Sequence, residues 1–314
     1  MKKKLLVTTA ALSLSLTSLA PVTSLAATQN YTHAEEDRIK VSNEIVDLDE
    51  IIKKLNVLYF DRFLSWKIEN GYRAVKLNHS RLDVERLDVK DQGVKDLTVN
   101  NLEPLYIGGN TFENNTSVTQ TYKSAEYSRT VSQEVITQTN KGFKVNKSLS
   151  FLKIPIILPD GVKLVGDLDY TNNVQQTKKT EETLTAPAQD VVVPPNKVYK
   201  VEVKLIKKSF HGEVAFSGTG VNPKSILNIY YSWQGAGGRP PKNEDRTFNS
   251  RDMYDKLPLH EQQQIKGITF GNGNNFSVSG NAMVNGVYGS EMEVKTFDIT
   301  DKNNIKLVDV KYYR

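Results

Sequence analysis

The chain has 314 residues, a formal net charge of +5 at pH 7 and no cysteine. This length is enough for one large domain or two smaller ones with a real core. The absence of cysteine excludes a disulfide framework and any zinc site built on cysteine pairs.

The first residues resemble an export signal. Lys2 to Lys4 are basic, Leu5 to Ala20 form a short apolar run diluted with Ser and Thr, and Ser24-Leu25-Ala26 fits a cleavage site. A transmembrane anchor needs about 20 mostly apolar residues, which this run does not supply. We therefore expect a secreted protein that begins after Ala26.

Cleavage would also remove most of the net charge. Residues 1–26 hold three lysines and no acidic residue, so the remaining chain has 41 − 3 = 38 basic against 36 acidic residues, a net of +2. Nucleic-acid binding needs a clustered positive surface. The sequence therefore predicts no nucleic-acid partner.

A single amphipathic helix is predicted near the start of the mature chain. Apolar residues recur every three or four positions from Leu48 to Trp66, and Asn70-Gly71 is a plausible end. The members of this stripe are Leu48, Ile52, Leu55, Tyr59, Phe63 and Trp66.

Most of the chain after Gly71 reads as strands and turns, since short runs of Val, Ile, Thr and Tyr are separated by Gly, Asn and Pro. The stretches 111–140 and 171–185 are rich in Ser, Thr and Gln. We interpret them as long strands with two fairly polar faces, with disorder as the alternative.

Between these polar stretches, 142–170 reads as a hairpin with an apolar tip. Each leg alternates apolar and polar residues, which is the pattern of strands that cross a bilayer in a closed barrel. Lys147 interrupts the outgoing leg. The predicted lipid face is Phe143, Val145, Leu149, Phe151, Val162, Leu164, Leu168 and Tyr170. The predicted tip is Leu152, Ile154, Pro155, Ile156, Ile157 and Leu158. The predicted pore lumen is Lys144, Asn146, Ser148, Ser150, Lys163, Asp167 and Asp169.

One hairpin cannot close a barrel, so this interpretation requires a homo-oligomer on the target membrane. Before insertion, the hairpin must pack against its own protein. Alternating hairpins are also common in soluble β-sandwiches, and the pattern alone does not distinguish the two.

Four stretches are similar to the aerolysin-like β-pore-forming toxins of the epsilon toxin and Mtx2/Mtx3 (ETX/MTX2) family. They are Tyr106-Ile107-Gly108-Gly109 with Asn114 to Gln120, Leu152 to Ile156 with Asp160 to Leu164, Gln189 to Asn196, and Gly289 to Lys295. The likeness covers about two thirds of the chain, from Asn101 to Lys311. Residues before Asn101 match little, so no receptor can be carried over.

The resemblance implies a mostly β, elongated aerolysin-like fold with long twisted antiparallel strands, an amphipathic insertion hairpin and a small α+β N-terminal region. We expect a signal peptide at 1–26, a receptor-binding region at 27–100 and a pore-forming region at 101–314. The last would contain the hairpin at about 142–170 and a further β-sandwich at about 186–314. It also implies activation by proteolysis, for which our own hypothesis is cleavage at Arg38 or Lys40 or near Lys302.

No catalytic centre is evident in the sequence, and we predict neither an enzyme nor a cofactor or metal. His260-Glu261 resembles the start of a zinc-protease helix, but Gln264 stands where the second histidine is needed.

Aromatic residues offer candidate receptor-binding positions, namely Phe60, Tyr72, Tyr230, Tyr231 and Trp233. Phe60 lies off the apolar stripe of the helix. Tyr59, Phe63 and Trp66 are predicted to be buried by it, with a place on the same receptor surface as the alternative.

The sequence thus predicts a secreted toxin, of insecticidal type, that binds a glycan or protein receptor on the host cell and inserts a β-barrel into its membrane. The alternative is a secreted β-rich lectin or adhesin without pore activity.

Overall fold

The structure is a computed structural model that describes residues 44–145, 150–271 and 273–314. The predicted signal peptide and the candidate cleavage residues Arg38 and Lys40 lie outside this part of the chain. The strands are β1 (Glu44–Asp47), β2 (Ile68–Glu69), β3 (Tyr72–Asp83), β4 (Arg86–Asn101), β5 (Leu105–Asn114), β6 (Gln120–Lys123), β7 (Tyr127–Lys144), β8 (Phe151–Ile157), β9 (Lys163–Asp169), β10 (Gln176–Ala186), β11 (Asp190–Val193), β12 (Lys197–Val221), β13 (Lys224–Trp233), β14 (Lys242–Asn249), β15 (Thr269–Phe270), β16 (Asn275–Asp298) and β17 (Lys306–Tyr313). The helices are α1 (Leu48–Tyr59), a π-helical segment (Phe60–Leu64), α2 (Ser250–Lys256) and α3 (Leu259–Gln262).

The predicted N-terminal helix is present but shorter than its apolar stripe. The Asp47 carboxylate caps α1 by accepting hydrogen bonds from the backbone N–H groups of Asp49 and Glu50. Leu48, Ile52, Leu55 and Tyr59 are buried as predicted. The chain then continues as the π-helical segment, whose wider turn shifts the phase of the side chains.

Three expectations about burial are wrong. Phe63 is 37% exposed and Trp66 is 76% exposed, because side chains beyond the start of the wider π-helical turn no longer follow the buried face of α1. Phe60, predicted to lie off the buried stripe, is 5% exposed because it lies one regular helical turn after the buried Asn56, to whose carbonyl its N–H donates.

One large antiparallel sheet organises the chain. Its nine strands run in the order β1-β7-β16-β12-β4, with β10 attached to β7, β15 and β17 to β16, and β5 to β12. Among the strands of the described residues, only the β1–β7 pair is parallel. The two longest strands, β12 and β16, lie at the centre of this sheet and are paired from Tyr199↔Asp298 to Val221↔Asn275.

The polar stretches form long strands, as predicted. β7 and β10 pair antiparallel from Tyr127↔Ala186 to Thr137↔Gln176. Their exposed face carries cross-strand hydroxyl pairs, with 2.8 Å between the oxygens of Ser128 and Thr185. Such pairs stabilise a polar sheet face and replace the apolar contacts that an ordinary strand would make.

Close approach of backbones explains two glycines in β16. A Cβ on Gly286 would lie 2.0 Å from the carbonyl oxygen of Glu134 in β7, and one on Gly280 would lie 2.5 Å from that of Lys141. Any larger residue there would push β7 away from the sheet.

Three smaller sheets pack beside the large one, in the orders β14-β13-β3-β2, β11-β6 and β8-β9. The main core includes Leu48, Phe143, Phe216 and Tyr288, and the second core surrounds Val201, Val294 and Val193. The described residues belong to one compact unit. The division at residue 100 stays a prediction.

Candidate functional site

The predicted hairpin exists as a separate two-stranded sheet. β8 and β9 pair antiparallel from Phe151↔Asp169 to Ile157↔Lys163. The turn is closed by the N–H of Leu158, which donates to the carbonyl of Val162, and by Gly161, whose φ is +84°. Glycine adopts this left-handed conformation without steric cost.

One face of the hairpin is buried in the main core and the other is exposed. Ile154, Ile156 and Leu164 are buried, as are Leu158, Val162 and Leu168. The opposite face carries Lys153 and Lys163, and Ile157 there is 67% exposed. The predicted lipid face of the returning leg therefore lies folded against the body of the protein.

The outgoing leg differs from the prediction. Residues 152–157, predicted as tip, form β8 itself, because the turn is set by the five residues 158–162. Phe143 and Lys144 are instead the end of β7, and Phe143 is fully buried against Tyr170 and Phe216. Val145 packs half-buried beside the main core and Ser150 precedes β8. Asn146, Ser148 and Leu149 lie outside the described residues.

The observed register also changes the face of Phe151. Directly paired residues share a face of the sheet, so Phe151, opposite Asp169, lies on the side of Lys163. The predicted place of Phe151 on the apolar face is therefore wrong. With an eleven-residue tip, the sequence does not determine which residues of the two legs pair with each other. Leu152, Ile154 and Ile156 occupy the apolar side of the outgoing strand instead.

The predicted lumen residues of the hairpin have mixed surroundings. Lys163 is exposed, and Asp167 forms an ion pair with Lys178 at 3.2 Å. Asp169 is buried and accepts hydrogen bonds from the N–H and hydroxyl of Thr171, at 2.9 and 2.7 Å. Lys144 forms an ion pair with Asp47 at 3.1 Å.

The hairpin is attached to the large sheet mainly through side chains. The hydroxyls of Thr137 and Thr139 in β7 donate to the carbonyls of Asp167 and Asp169, at 2.6 and 2.7 Å. Among the described strands, β8 and β9 form a backbone ladder with each other and with no third strand. The backbone bond from Phe143 N–H to the Tyr170 carbonyl, at 3.1 Å, lies just past the end of β9.

A polar cluster fastens the turn of the hairpin to the body. The Asp160 carboxylate accepts hydrogen bonds from the hydroxyls of Tyr288 and Ser290, each at 2.8 Å, and from the Lys208 ammonium at 3.1 Å. Burial by itself would raise the pKa of Asp160, but these three donors and the Val162 N–H outweigh it and hold the pKa at about 2. Asp160 is therefore ionised at neutral pH and ties the turn to β12 and β16. No pattern in the sequence predicts this role of Asp160.

The candidate receptor-binding aromatics lie around the four-stranded sheet. The rings of Tyr72 and Trp233 meet edge to face at 5.0 Å, and the Arg239 guanidinium covers Trp233 at 4.6 Å. Tyr230 is half-buried, whereas Tyr231 is 6% exposed.

Phe60 and Tyr231 therefore belong to the main core and not to a surface, since Phe60 follows the buried face of α1 and β13 turns Tyr231 inward. The π-helical segment instead exposes Trp66, beneath the Arg73 guanidinium at 4.7 Å. The predicted burial of Trp66 is therefore wrong, and its exposure fits the alternative of a place on the receptor surface.

The residue types that resembled a zinc-protease motif have a structural role. Glu261 accepts hydrogen bonds from the Arg62 guanidinium, with 3.0 Å from Nε to Oε2. Within the described ranges, no group of three or more His, Asp or Glu side chains is arranged to hold a metal ion.

In the described part of the chain, every helix is too short or too polar to traverse a bilayer.

The model of the family described as Clostridium epsilon toxin ETX/Bacillus mosquitocidal toxin MTX2 matches residues 61–306. A search of curated protein sequences gives no significant match.

Two solved structures share the fold. The β-pore-forming protein Mpp75Aa1.1 from Brevibacillus laterosporus is 17% identical, with a TM-score of 0.62 over 86% of this chain and 95% of that one. A non-toxic crystal protein from Bacillus thuringiensis is 14% identical, with a TM-score of 0.56 over 85% of this chain and 99% of that one. At these identities the likeness concerns the fold, and it confirms the predicted fold class.

Proposed function

Because this chain belongs to the Clostridium epsilon toxin ETX/Bacillus mosquitocidal toxin MTX2 family of β-pore-forming toxins, we propose that it is secreted, binds a receptor on insect cells, and inserts a β-barrel after proteolysis and oligomerisation. The observation that carries this proposal is the separate two-stranded hairpin β8–β9, whose apolar face packs against the protein's own core.

Insertion exchanges one burial for another. Each large apolar side chain on the stored face gains about 1.5–3 kcal/mol from leaving water, in the core and in lipid alike. The free energy of moving this apolar face from the core into lipid is therefore close to zero. The net gain comes from the backbone, because the outer edges of β8 and β9 would find ladder partners in neighbouring hairpins.

The inserted hairpin must be longer than the stored one. A strand that crosses a bilayer needs about 9–11 residues, and β8 and β9 have seven each. Each leg would therefore extend into its flank, toward Lys144 on the outgoing side and Thr171 on the returning side.

In the barrel, we assign Val162, Leu164, Leu168 and Tyr170 to lipid, and Lys163, Asp167 and Asp169 to the lumen. The observed register adds Leu152, Ile154 and Ile156 to the lipid side of the outgoing strand.

A disulfide clamp tests whether the hairpin must leave the core. A Cβ on Gly166 in β9 would lie 3.0 Å from Cγ1 of Val135 in β7, so a Val135→Cys/Gly166→Cys pair is suitably placed. The chain has no other cysteine. We expect the oxidised variant to release no calcein from insect midgut brush-border membrane vesicles, and the reduced variant to release it.

A matched control uses Ser225→Cys/Ser250→Cys, since these hydroxyl oxygens lie 2.9 Å apart away from the hairpin. Oxidation of this control should leave dye release unchanged. Equal release by the oxidised and reduced Val135/Gly166 variants would show that this hairpin does not insert.

Activation by proteolysis is the second part of the proposal. Lys302 lies in an exposed turn before β17, and Arg38 and Lys40 are the N-terminal candidates. Trypsin-treated protein should release dye faster than intact mature protein. Equal rates of dye release by the treated and intact proteins would show that proteolysis is not needed for activation.

A β-rich lectin or adhesin remains the second candidate, because the surface around Trp66, Tyr72 and Trp233 suits ligand binding with or without a pore. Binding to midgut vesicles without dye release or SDS-resistant oligomers, at any protease treatment, would favour it.

A further inference from the structure

The strand that leads into the hairpin is paired with β1 at its end. β7 pairs with β10 as far as Thr137 and with β16 as far as Lys141. Beyond Lys141, β1 is the one described strand that continues the ladder, since its residues 44–47 pair with residues 141–144 of β7. β1 therefore holds the last residues of β7 before the outgoing leg of the hairpin.

The hairpin meets an obstacle as soon as it lengthens. β8 and β9 have seven residues each, whereas a membrane-crossing strand needs about 9–11. Their register pairs Phe151 with Asp169, so the next pair of a longer hairpin is Ser150 with Tyr170. In the structure, the Tyr170 carbonyl already accepts a hydrogen bond from the Phe143 N–H, at 3.1 Å.

This carbonyl points to the edge of β9 that pairs with β8. The carbonyls of Asp167 and Asp169 face the other edge, where threonine hydroxyls of β7 donate to them. Because successive carbonyls of a strand point to alternate edges, that of Tyr170 faces β8. The Phe143 N–H thus occupies the acceptor that a longer outgoing leg needs, and it must leave before the hairpin can extend.

β1 keeps Phe143 in place. Val46 is the ladder partner of Phe143, and both side chains are buried in the main core. Val46 also packs against the loop before β15, since a Cβ on Gly267 would lie 3.1 Å from its Cγ1. The next residue of β1, Asp47, forms the ion pair with Lys144 at 3.1 Å.

β1 can nevertheless leave β7 without unfolding its neighbours. It has four residues, of which Val46 alone is buried, and its pairing is parallel, which is slightly less stable per residue than antiparallel pairing. Among the described strands it has no partner on its other edge. The cap that Asp47 provides to Asp49 and Glu50 of α1 lies within the same chain segment and does not depend on β7.

We propose that β1 is a lock on the hairpin, and that its release from β7 frees Phe143 so that the outgoing leg can extend into the membrane. This inference rests on the proposed function and adds the step that precedes insertion. Three residues separate Lys40 from β1. Cleavage at Lys40 would leave β1 almost at a chain end, where segments open most readily.

A disulfide across the β1–β7 pair tests the lock. Glu44 and Lys141 are paired and exposed, and neighbouring strands lie about 4.8 Å apart, within the range that a disulfide spans. We expect trypsin-treated, oxidised Glu44→Cys/Lys141→Cys to bind midgut brush-border membrane vesicles but to release no calcein, and reduction to restore release. Oxidised Ser225→Cys/Ser250→Cys is the control and should release calcein normally.

Thiol labelling measures the release of β1 directly. Val46 is 9% exposed, so Val46→Cys should not react with a maleimide in solution and should react once rings have formed on the vesicles. Val201→Cys is the matched control, since Val201 is fully buried in the central strand β12 and should stay protected throughout.

The outcomes separate the lock from pore formation. Calcein release by the oxidised Glu44/Lys141 variant, or by rings in which Val46→Cys stays unreactive, would overturn the lock and leave pore formation intact. Absence of calcein release from wild type and reduced variants alike would instead refute the proposed function.

Discussion

Replacement of Asp160 by asparagine should release the hairpin. Its carboxylate is the charged centre of the contacts that fasten the turn to Tyr288, Ser290 and Lys208. Asparagine keeps the size of the side chain but removes the negative charge that these three donors stabilise. The stored hairpin loses this anchor, whereas the inserted hairpin does not use it.

The pKa of Asp160 gives the size of the stabilisation that the substitution removes. Folding lowers the pKa of Asp160 from 3.8 to about 2, which corresponds to about 2 kcal/mol in favour of the folded, ionised form. Because this pKa is depressed, the stabilisation is fully present above pH 4 and is lost as the pH falls toward 2. At neutral pH, Asp160→Asn should therefore raise the population of released hairpin about 30-fold.

The assay measures dye release from midgut vesicles and hydrogen exchange of the amides of β8 and β9. Both should accelerate in Asp160→Asn at pH 7, and the variant should lose most of the wild type's acid sensitivity between pH 4 and 2. Asp167→Asn is the matched control, since it removes a carboxylate of the same hairpin whose partner Lys178 is partly exposed. An exposed pair contributes only about 0–1 kcal/mol. If the two variants behave alike, the reasoning about Asp160 is wrong.

Three further predictions concern the turn, the lumen and the receptor surface. Tyr288→Phe removes a buried donor to the Asp160 carboxylate and should cost about 1.5–3 kcal/mol in urea unfolding, and a loss under 0.5 kcal/mol would contradict this assignment. Lys163→Glu should shift the reversal potential of planar-bilayer currents toward cation selectivity while ring assembly persists, and an unchanged potential would move Lys163 out of the lumen. Trp66→Ala should weaken the binding of labelled protein to midgut cells without lowering the free energy of unfolding, because Trp66 is 76% exposed; unchanged binding would exclude Trp66 from the receptor surface.

The features that the sequence predicted well have local causes. The returning leg was predicted from the alternation of Leu164 and Leu168 with Lys163 and Asp167, and this period of two is a property of any strand. The polar strands β7 and β10 were likewise predicted from their β-branched and hydroxyl content.

The features that it missed depend on contacts between distant residues. The side-chain donors to the Asp160 carboxylate lie 48 to 130 positions away in the chain, and no local sequence pattern predicts these contacts. The sequence predicts the outgoing strand too early because 143–151 alternates apart from Lys147, and only the turn at 158–162 fixes the position of β8. The exposure of Phe63 and Trp66 follows from the π-helical segment, which a regular helical period does not predict.

Pore formation requires β8 and β9 to move from the core of the protein into lipid with alternating faces. Single cysteines at successive positions from 162 to 170, each carrying a nitrobenzoxadiazole dye, test it on midgut vesicles that contain nitroxide-labelled phosphatidylcholine. Dyes at Leu164 and Leu168 should be quenched by the lipid label, and those at Lys163 and Asp167 by aqueous iodide, only after rings have formed. Calcein release without quenching of any dye in this hairpin by the lipid label would show that β8 and β9 do not insert into the membrane.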